Sequence, residues 1–283
     1  MATSRPALQF GGWLTVSSNE LSGGRVRLAA TFFRVGVMNE MQYRINFFLQ
    51  LVQSLLTVGT GLIVLAVVFS KTSELGGWNR PQLLAVMGVF TLVGGIIRSF
   101  IQPNMQRVVN DVREGKLDFA LTKPADAQLL VSIRDVRFWQ LTDVLVGLVV
   151  LTVALVQLRS TMQWHHVVAF IALLLSGLVS IYCFWLMLAS ASFWLVRIDE
   201  VQELFDGLFR AGQYPVGIYP GWLRYGLTFV IPLAFAITVP SEAVTGRLAW
   251  QSVAVMIAFT AVLLVVSRWF WNRGLRRYGG ASA

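Results

Sequence analysis

Long apolar runs separated by short basic connections constrain this chain more than any other feature. Five of them can be read directly: Ile45–Phe69, Leu83–Ile101, Leu141–Leu158, Val167–Leu188 and Trp250–Val266. An α-helix rises about 1.5 Å per residue, so about 20 apolar residues cross the roughly 30 Å of bilayer hydrocarbon. The runs are close to that length and contain few charges. They predict an all-α integral membrane protein.

The composition agrees, because 56% of the 283 residues are hydrophobic and 13% are charged. The net charge of +9 is explained by the retention of Lys and Arg on the cytoplasmic side of a membrane, so we expect lipids and no nucleic acid around this chain. Cys183 is the only cysteine and lies in an apolar run, which excludes a disulfide within the chain. We expect no metal site. The first twenty residues lack the apolar core of a cleaved signal peptide.

Six spans account for the apolar segments, at 46–69, 82–101, 140–158, 166–188, 220–240 and 250–267. Together they form a six-helix transmembrane domain over 46–270. With residues 1–24 as a cytoplasmic segment, most of the 23 Lys and Arg residues lie on the cytoplasmic side. The positive-inside rule therefore predicts that both termini are cytoplasmic, including the basic tail 271–283, and it suits a multi-pass protein of a bacterial inner membrane.

The fifth crossing has two possible locations. The segment 198–219 carries Glu203 and Asp206, and charges at a helix centre cost roughly 3 kcal/mol each, so it cannot face lipid. It is either a cytoplasmic helix or a span lined by protein and water. In the second case the proline-broken stretch 214–240 dips back into the membrane from the outer side. Both versions give six crossings.

An amphipathic helix is predicted over 25–45, ahead of the first span. At 100° per residue, Leu28 and Phe32 share one face while Arg27 and Arg34 share the other. This pattern is typical of an interfacial helix whose cations meet anionic headgroups. The alternative is a plain extension of the first span into the cytosol.

The loop 102–139 is the longest polar stretch, and we refer to it as the coupling loop. Gly115 ends a short helix in it, and charges of both signs surround a small apolar patch. An apolar patch rimmed by charge is typical of a docking surface for another protein, although a solvated loop with residues snorkelling to the membrane would also fit. The predicted docking residues are Asp111, Arg113, Glu114, Gly115, Lys116, Leu117, Asp118, Phe119, Leu121, Lys123 and Pro124.

Catalytic patterns are poor, which argues against an enzyme. Gly115-Lys116 lacks the upstream glycine and the following Ser or Thr of a phosphate-binding loop, so ATP must be hydrolysed elsewhere if it drives this protein. His165 and His166 are adjacent and cannot share a helix face as zinc ligands do. Asp143 lies about one turn inside the third span and could handle protons or ions, or reach the headgroups.

Small residues recur at helical spacing in two spans. Gly88, Thr91 and Gly95 form one such face in the second span, and Ser176 and Ser180 form another in the fourth. Small faces allow two helix backbones to approach closely, either within the chain or between subunits.

Several short motifs resemble permease subunits of ABC exporters of the ABC-2 superfamily. They occur in the expected order over nearly the whole chain: Glu40-Met-Gln-Tyr-Arg-Ile-Asn-Phe47, Gly115-Lys-Leu-Asp-Phe119 with Lys123-Pro124, Tyr214-Pro215 through Tyr219-Pro220-Gly-Trp-Leu-Arg224, Phe229 to Pro240, and Arg276-Arg277-Tyr278. The resemblance is to a small bacterial lineage of uncharacterised permeases.

The resemblance implies a six-helix permease with an interface helix, a coupling helix after the second span and re-entrant helices on the outer side. It also implies a separate cytoplasmic ABC ATPase dimer that holds ATP and Mg²⁺, and a second permease subunit that is identical or related. We expect export of a hydrophobic or amphipathic substrate. An ion-coupled secondary transporter using Asp143 or the acidic 199–206 segment is the alternative, and a membrane scaffold is a third.

A substrate pathway follows if 198–219 crosses the membrane. Residues too polar for lipid yet embedded among spans are the natural lining of a route through the protein. The predicted lining residues are Glu203, Asp206, Arg210, Gln213 and Tyr214, with Phe48 and Leu55 of the first span as apolar neighbours across the route.

Overall fold

The structure, a computed structural model, describes residues 44–122, 126–158, 164–195 and 205–278. Within these ranges the chain is helical and carries no strand, apart from an isolated bridge between Leu75 and Trp78. The all-α prediction is confirmed. The segment 1–24 and nearly all of the predicted interface helix, including Arg27 and Arg34, lie outside the described residues.

Ten α-helices of the described residues are numbered here in chain order. They are α1 Arg44–Phe69, α2 Arg80–Ile96, α3 Gln102–Arg113, α4 Asp118–Leu121, α5 Ala127–Ser132, α6 Leu141–Leu158, α7 Trp164–Ala191, α8 Gly221–Tyr225, α9 Val239–Val244 and α10 Trp250–Leu275. A further helical turn at 205–209 leads into 3₁₀ turns at Arg210–Gln213 and Val216–Ile218. Stretches of π-helix occur at Ile97–Ile101, Gly226–Val230 and Ala234–Thr238.

Five helical stretches are long and apolar enough to cross a membrane, and they match five of the predicted spans. They are Asn46–Phe69, Arg80–Arg113, Phe138–Leu158, His166–Ala191 and Trp250–Leu275. The second is the most buried; α6 and α1 pack directly on α2, while α10 packs on α7. Its first turn is fixed by a capping box, in which Asn79 accepts from the Gln82 N–H at 3.0 Å and Gln82 accepts from the Asn79 N–H at 3.1 Å.

Glycines bring α2 and α6 into backbone contact. A Cβ on Gly88 would lie 2.7 Å from the Leu151 nitrogen, and a Cβ on Gly147 would lie 2.5 Å from the Leu92 nitrogen. No side chain fits in either place, so only glycine permits this approach. The predicted small-residue face of the second span therefore packs within the chain.

The second small-residue face joins α7 to α10. Thr260 on α10 exchanges hydrogen bonds with Ser176 at 3.1 Å and with Ser180 at 2.8 Å. The hydroxyls of Ser180 and Thr260 also lie within hydrogen-bond distance of carbonyls one turn back in their own helices, so each has partners away from water.

The stretch 219–246 leaves and returns to the same end of the bundle. Ile218 packs on Gly76, and Arg247 Nη1 donates to the Gly77 carbonyl at 2.5 Å, so both limbs begin beside the turn between α1 and α2. The two limbs, Gly221–Val230 and Ala234–Val244, meet at 79°. The second limb contacts Gly177, near the middle of α7, through Phe235 and Ala236. We call 219–246 the re-entrant hairpin. The end of the bundle at which this hairpin starts is called the hairpin end. The opposite end, which carries the coupling loop, is called the loop end.

Residues 205–218 run antiparallel to α2 from the loop end to the hairpin end. Phe209 stacks on Phe90 with ring centroids 4.9 Å apart, Gln213 lies against Gly61 and Met87, and Ile218 reaches Gly76. Of the two alternatives for the fifth crossing, this course favours the one in which 198–219 traverses the bundle and the proline-broken stretch is re-entrant.

Exposed aromatic residues mark both ends of the bundle. Trp222, Tyr225 and Trp250 are exposed at the hairpin end, and Trp194 and Trp269 are exposed at the loop end. Trp and Tyr concentrate at the two membrane–water interfaces, where the ring is apolar and its polar atom meets water. The two groups are therefore placed as the aromatic belts of a membrane protein.

We expect Gly147→Ala to destabilise the bundle, because the new methyl group must push α2 and α6 apart at a cost of about 1–3 kcal/mol. The matched control is Gly59→Ala in α1, where a Cβ would meet nothing within 4 Å. Both changes raise helix propensity, so the comparison isolates the packing effect. Thermal unfolding of the purified proteins should give a lower midpoint for Gly147→Ala only; equal midpoints would contradict the packing described here.

Candidate functional site

A polar cleft of about 640 Å³ lies between α1, α2, α6 and the segment 205–214. Most of its lining side chains carry hydrogen-bonding groups, which is unusual among membrane helices. The lining residues are Gln50, Gln53, Ser54, Thr57, Thr60, Gly61, Val64, Phe90, Thr91, Arg98, Gln140, Asp143, Asp206, Phe209, Arg210, Gln213 and Tyr214. Four predicted pathway residues, Asp206, Arg210, Gln213 and Tyr214, are thus brought together, and Glu203 lies outside the described residues.

The lining residues of α1 occupy one face of the helix. They recur at intervals of three and four residues from Gln50 to Val64, which is the spacing of a single helix face. Phe48 and Leu55 lie about 160–180° from the centre of that face and are exposed. The helix therefore turns these two predicted pathway neighbours away from the cleft, and they do not line it.

A ring of hydrogen bonds closes the loop end of the cleft. Arg98 Nη2 lies 2.7 Å from an Asp143 carboxylate oxygen, and its Nε donates to Gln140 Oε1 at 3.3 Å. Gln140 Nε2 then donates to Gln50 Oε1 at 3.3 Å, and Gln50 Nε2 donates back to the Asp143 carboxylate at 3.3 Å. The ring joins α1, α6, the 3₁₀ turn before α6, and the π-helical stretch that follows α2.

Burial explains why the ring must be closed. The Asp143 side chain is only 4% exposed, whereas that of Arg98 is 37% exposed and opens into the cleft. A carboxylate in a low-dielectric interior is tolerated when a cation and further donors satisfy it. Asp143 therefore neither reaches the headgroups nor stands alone as an ion ligand. Within the part of the chain that the structure describes, no group of His, Cys, Asp and Glu is arranged to hold a metal ion.

A carbonyl that Pro103 leaves without its helical partner connects the second span to the coupling loop. Pro103 cannot donate to the Ser99 carbonyl one turn back, and the backbone N–H of Arg137 takes that place at 3.0 Å. The π-helical stretch Ile97–Ile101 precedes this point and carries Arg98. The loop is thus hydrogen-bonded directly to the membrane helix at the irregular stretch beside the ring.

Asn104 fastens the same part of the loop. Its amide nitrogen donates to the carbonyls of Phe100 at 2.6 Å and Asp135 at 2.7 Å, and its oxygen accepts from the Asp135 N–H at 2.9 Å. Two ion pairs add to this clamp: Arg107 with Asp135 at 2.7 Å and Arg134 with Asp111 at 2.8 Å. Residues 134–137 are consequently held against α3, and the chain reaches Gln140 and Asp143 of the ring directly afterwards.

Two predicted docking residues are not at the surface of the coupling loop. Leu117 is fully buried, so its place in an exposed apolar patch is wrong; the turn that follows α3 directs it into the core. Asp111 is also buried, where it pairs with Arg134. Gly115 ends α3 as predicted, with φ of +67° and the hydrogen bond from the Lys116 N–H to the Asp111 carbonyl that defines this glycine cap.

The remaining docking residues have different placements. Glu114 and Lys116 are exposed and form an ion pair at 2.5 Å, and Leu121 is exposed on α4. Arg113 is exposed at the end of α3, and Asp118 is half-buried. Lys123, Pro124 and the side chain of Phe119 lie outside what the structure describes.

The coupling loop is also tied to α10. Arg268 pairs with Asp126 and donates to Gln128 at 2.6 Å. The hydrogen bond from the Arg268 guanidinium lowers the pKa of Asp126 below its usual range, so the pair is fully ionised at neutral pH. Tyr278, at the end of the described tail, packs against Phe193 beyond α7 with ring centroids 6.0 Å apart.

These features define a multi-pass membrane protein with a polar cleft among its helices and a structured loop joined to that cleft. Residues 55–282 match a family described as "ABC-2 family transporter protein", and since the match covers most of the chain, the chain belongs to that family. This confirms the resemblance inferred from the motifs, and with it the general role of an ABC transporter permease. Comparisons with curated proteins and with solved structures gave no match.

We expect Arg98→Gln to destabilise the protein more than Asp143→Asn does. The first change strands a buried carboxylate, and removing one partner of a buried pair costs about 3–5 kcal/mol. The second leaves a guanidinium that still opens into the polar cleft. Thermal unfolding of both variants and of the double variant tests the order, with the double variant recovering part of the loss. A larger loss for Asp143→Asn would contradict this description of the ring.

Proposed function

We propose that this chain is the permease subunit of an ATP-driven exporter and that the polar cleft is its substrate route. The observation that carries the proposal is the connection from the cleft, through the Arg98–Asp143 ring, to the coupling loop. The substrate is an amphipathic or hydrophobic compound that moves outward across a bacterial inner membrane. Both termini and the loop end face the cytoplasm, and the hairpin end faces outward.

ATP is bound and hydrolysed by a separate ATPase dimer, which supplies Mg²⁺-dependent hydrolysis that this chain has no motif for. Membership of the family implies an ATPase partner in general. The coupling loop is the docking surface, because it combines the exposed Glu114–Lys116 pair with the exposed apolar Leu121. A second permease subunit, identical or related, completes the transporter.

Motion of the docked ATPase can reach the cleft through directly bonded parts. The bond from Arg137 to Ser99 holds the loop against the π-helical stretch itself, and the Asn104 clamp holds it just after that stretch. Three residues after Arg137, Gln140 belongs to the ring itself. A displacement of 134–137 therefore moves Arg98 and Gln140 together, which changes the loop end of the route.

The ion-coupled alternative receives no comparable support. An ion-binding carboxylate must release its partners during each cycle, whereas Asp143 accepts from Arg98 and from Gln50 at the same time. Breaking such a pair in a low-dielectric interior carries a large penalty. The other acidic group, at 199–206, lies mostly outside the described residues.

The crossing by 198–219 can be tested with single cysteines in a Cys183→Ala background. Gly217→Cys and Thr122→Cys both replace exposed residues, the first near the hairpin end and the second in the coupling loop. In sealed vesicles, a membrane-impermeant thiol reagent should label the two from opposite sides, with Gly217→Cys reacting from outside. The Cys183→Ala protein without added cysteines provides the background. Labelling of both from one side would contradict the crossing and the orientation.

Coupling is tested by changing Asp118, Phe119 and Leu121 together to Ala. We expect ATP hydrolysis to be uncoupled from transport, with the copurified ATPase reduced by about tenfold or more, equivalent to roughly 1.4 kcal/mol of docking free energy. Membrane insertion should be unaffected. Leu62→Ala is the control, because Leu62 is exposed on α1 in the half of the helix nearer the hairpin end. Unchanged copurification and transport by the triple variant would overturn the docking surface.

A further inference from the structure

We propose that the cleft selects amphiphiles whose polar headgroup carries no net charge and is either rich in hydroxyl groups or zwitterionic. This rests on the proposed function of the cleft as a substrate route, and it names the class of compound that the route accepts.

The first argument is the number of hydrogen-bonding groups that face the cleft without a partner. Within the part of the chain that the structure describes, the side-chain amides of Gln53 and Gln213 make no hydrogen bond, although each carries two donors and an acceptor. Thr57 and Thr60 donate to carbonyls of their own helix at 2.8 Å, which leaves their oxygen lone pairs available as acceptors. Such groups are costly beside lipid and are satisfied by a polar ligand or by water.

The second argument is the balance of charge. Asp143 is neutralised by Arg98 in the ring, and the other two charges of the lining, Asp206 and Arg210, are opposite in sign and one helical turn apart. Both are exposed. An anionic headgroup that approaches Arg210 is repelled by Asp206. A cationic headgroup that approaches Asp206 is repelled by Arg210. A zwitterion can meet both charges, and a sugar can bond to both without a net electrostatic penalty.

The third argument is the separation of polar and apolar surface on α1. The polar lining extends from Gln50 to Thr60, about 15 Å along the helix axis. The opposite side of the same helix exposes Phe48, Leu55 and Leu62. A headgroup can therefore occupy the cleft while an alkyl chain stays on apolar surface or in lipid, which is the arrangement an amphiphile requires.

The test compares four amphiphiles with the same ten-carbon chain and different headgroups: decyl maltoside, decylphosphocholine, decyl sulfate and decyltrimethylammonium. Binding to the full chain in lipid nanodiscs is measured below the micelle concentration of each compound. We expect the neutral and zwitterionic compounds to bind at least about tenfold more tightly than the two ions. Equal binding of all four, or a preference for either ion, would overturn the proposal.

Single charge changes should then reverse the selection. Asp206→Asn gives the cleft a net positive charge and should raise the affinity for decyl sulfate about tenfold, and Arg210→Gln should do the same for decyltrimethylammonium. The controls Glu74→Gln and Arg80→Gln remove the same charges from exposed positions outside the cleft and should leave the order unchanged. Equal effects of the cleft and control variants would show that general surface charge, rather than the cleft, sets the affinity, and would overturn the proposal.

The outcome is separable from that of the exporter proposal because binding needs no ATPase. Headgroup selection that depends on Asp206 and Arg210 supports the inference even if the bound compounds leave the ATPase of the assembled transporter unstimulated, a result that would count against export. If the cleft does not discriminate between headgroups while the loop still couples ATP hydrolysis to transport, the inference is overturned and the exporter proposal stands.

Discussion

The ion pair between Arg98 and Asp143 is the interaction on which the polar interior of this protein depends. Neither charge belongs in a membrane helix by itself, since each would cost several kcal/mol to remove from water. Together, and with further hydrogen bonds from Gln50 to Asp143 and from Arg98 to Gln140, they form a closed unit that holds three parts of the chain. This unit keeps α1 beside α6. Polar side chains line the space between the unit and the hairpin end, and that space is the cleft.

The pair in turn depends on residues that carry no charge. A Cβ on Gly95 would lie 2.7 Å from the Val144 nitrogen and 3.0 Å from the Asp143 Cβ, so the glycine lets α6 lie directly on α2 at the level of the pair. Pro103 contributes because it has no N–H to donate, which leaves the Ser99 carbonyl, next to Arg98, to accept from the Arg137 N–H. The missing side chain of Gly95 and the missing N–H of Pro103 thus determine where the ion pair can form.

The sequence predicts the helices of this structure better than the contacts between them. Apolar runs identify the spans because lipid imposes length and composition on each helix separately. The glycine cap at Gly115 is equally local. The Arg98–Asp143 pair is not predicted, because nothing in one sequence relates residues 45 positions apart. Leu117 was misplaced since an apolar residue in a charged loop fits both a surface patch and a core contact.

For α1, by contrast, the signal was available. Gln50, Gln53, Ser54, Thr57 and Thr60 recur at three- and four-residue intervals, and this polar stripe identifies the cleft face without any structure. Phe48 and Leu55 lie off that stripe. Their assignment followed the apolar character of a pathway expected for a hydrophobic substrate rather than the helix geometry, which was the better guide.

The anchoring of the re-entrant hairpin makes it a topologically closed module. The chain enters it beside Gly76 and leaves it beside Gly77, so everything between these points begins and ends at one place in the bundle. Its length and its bend can change without altering the number of crossings, the side on which the C-terminal helix emerges or the register of α10. Diversity at the hairpin end can therefore accumulate in these residues while the membrane-spanning framework stays the same.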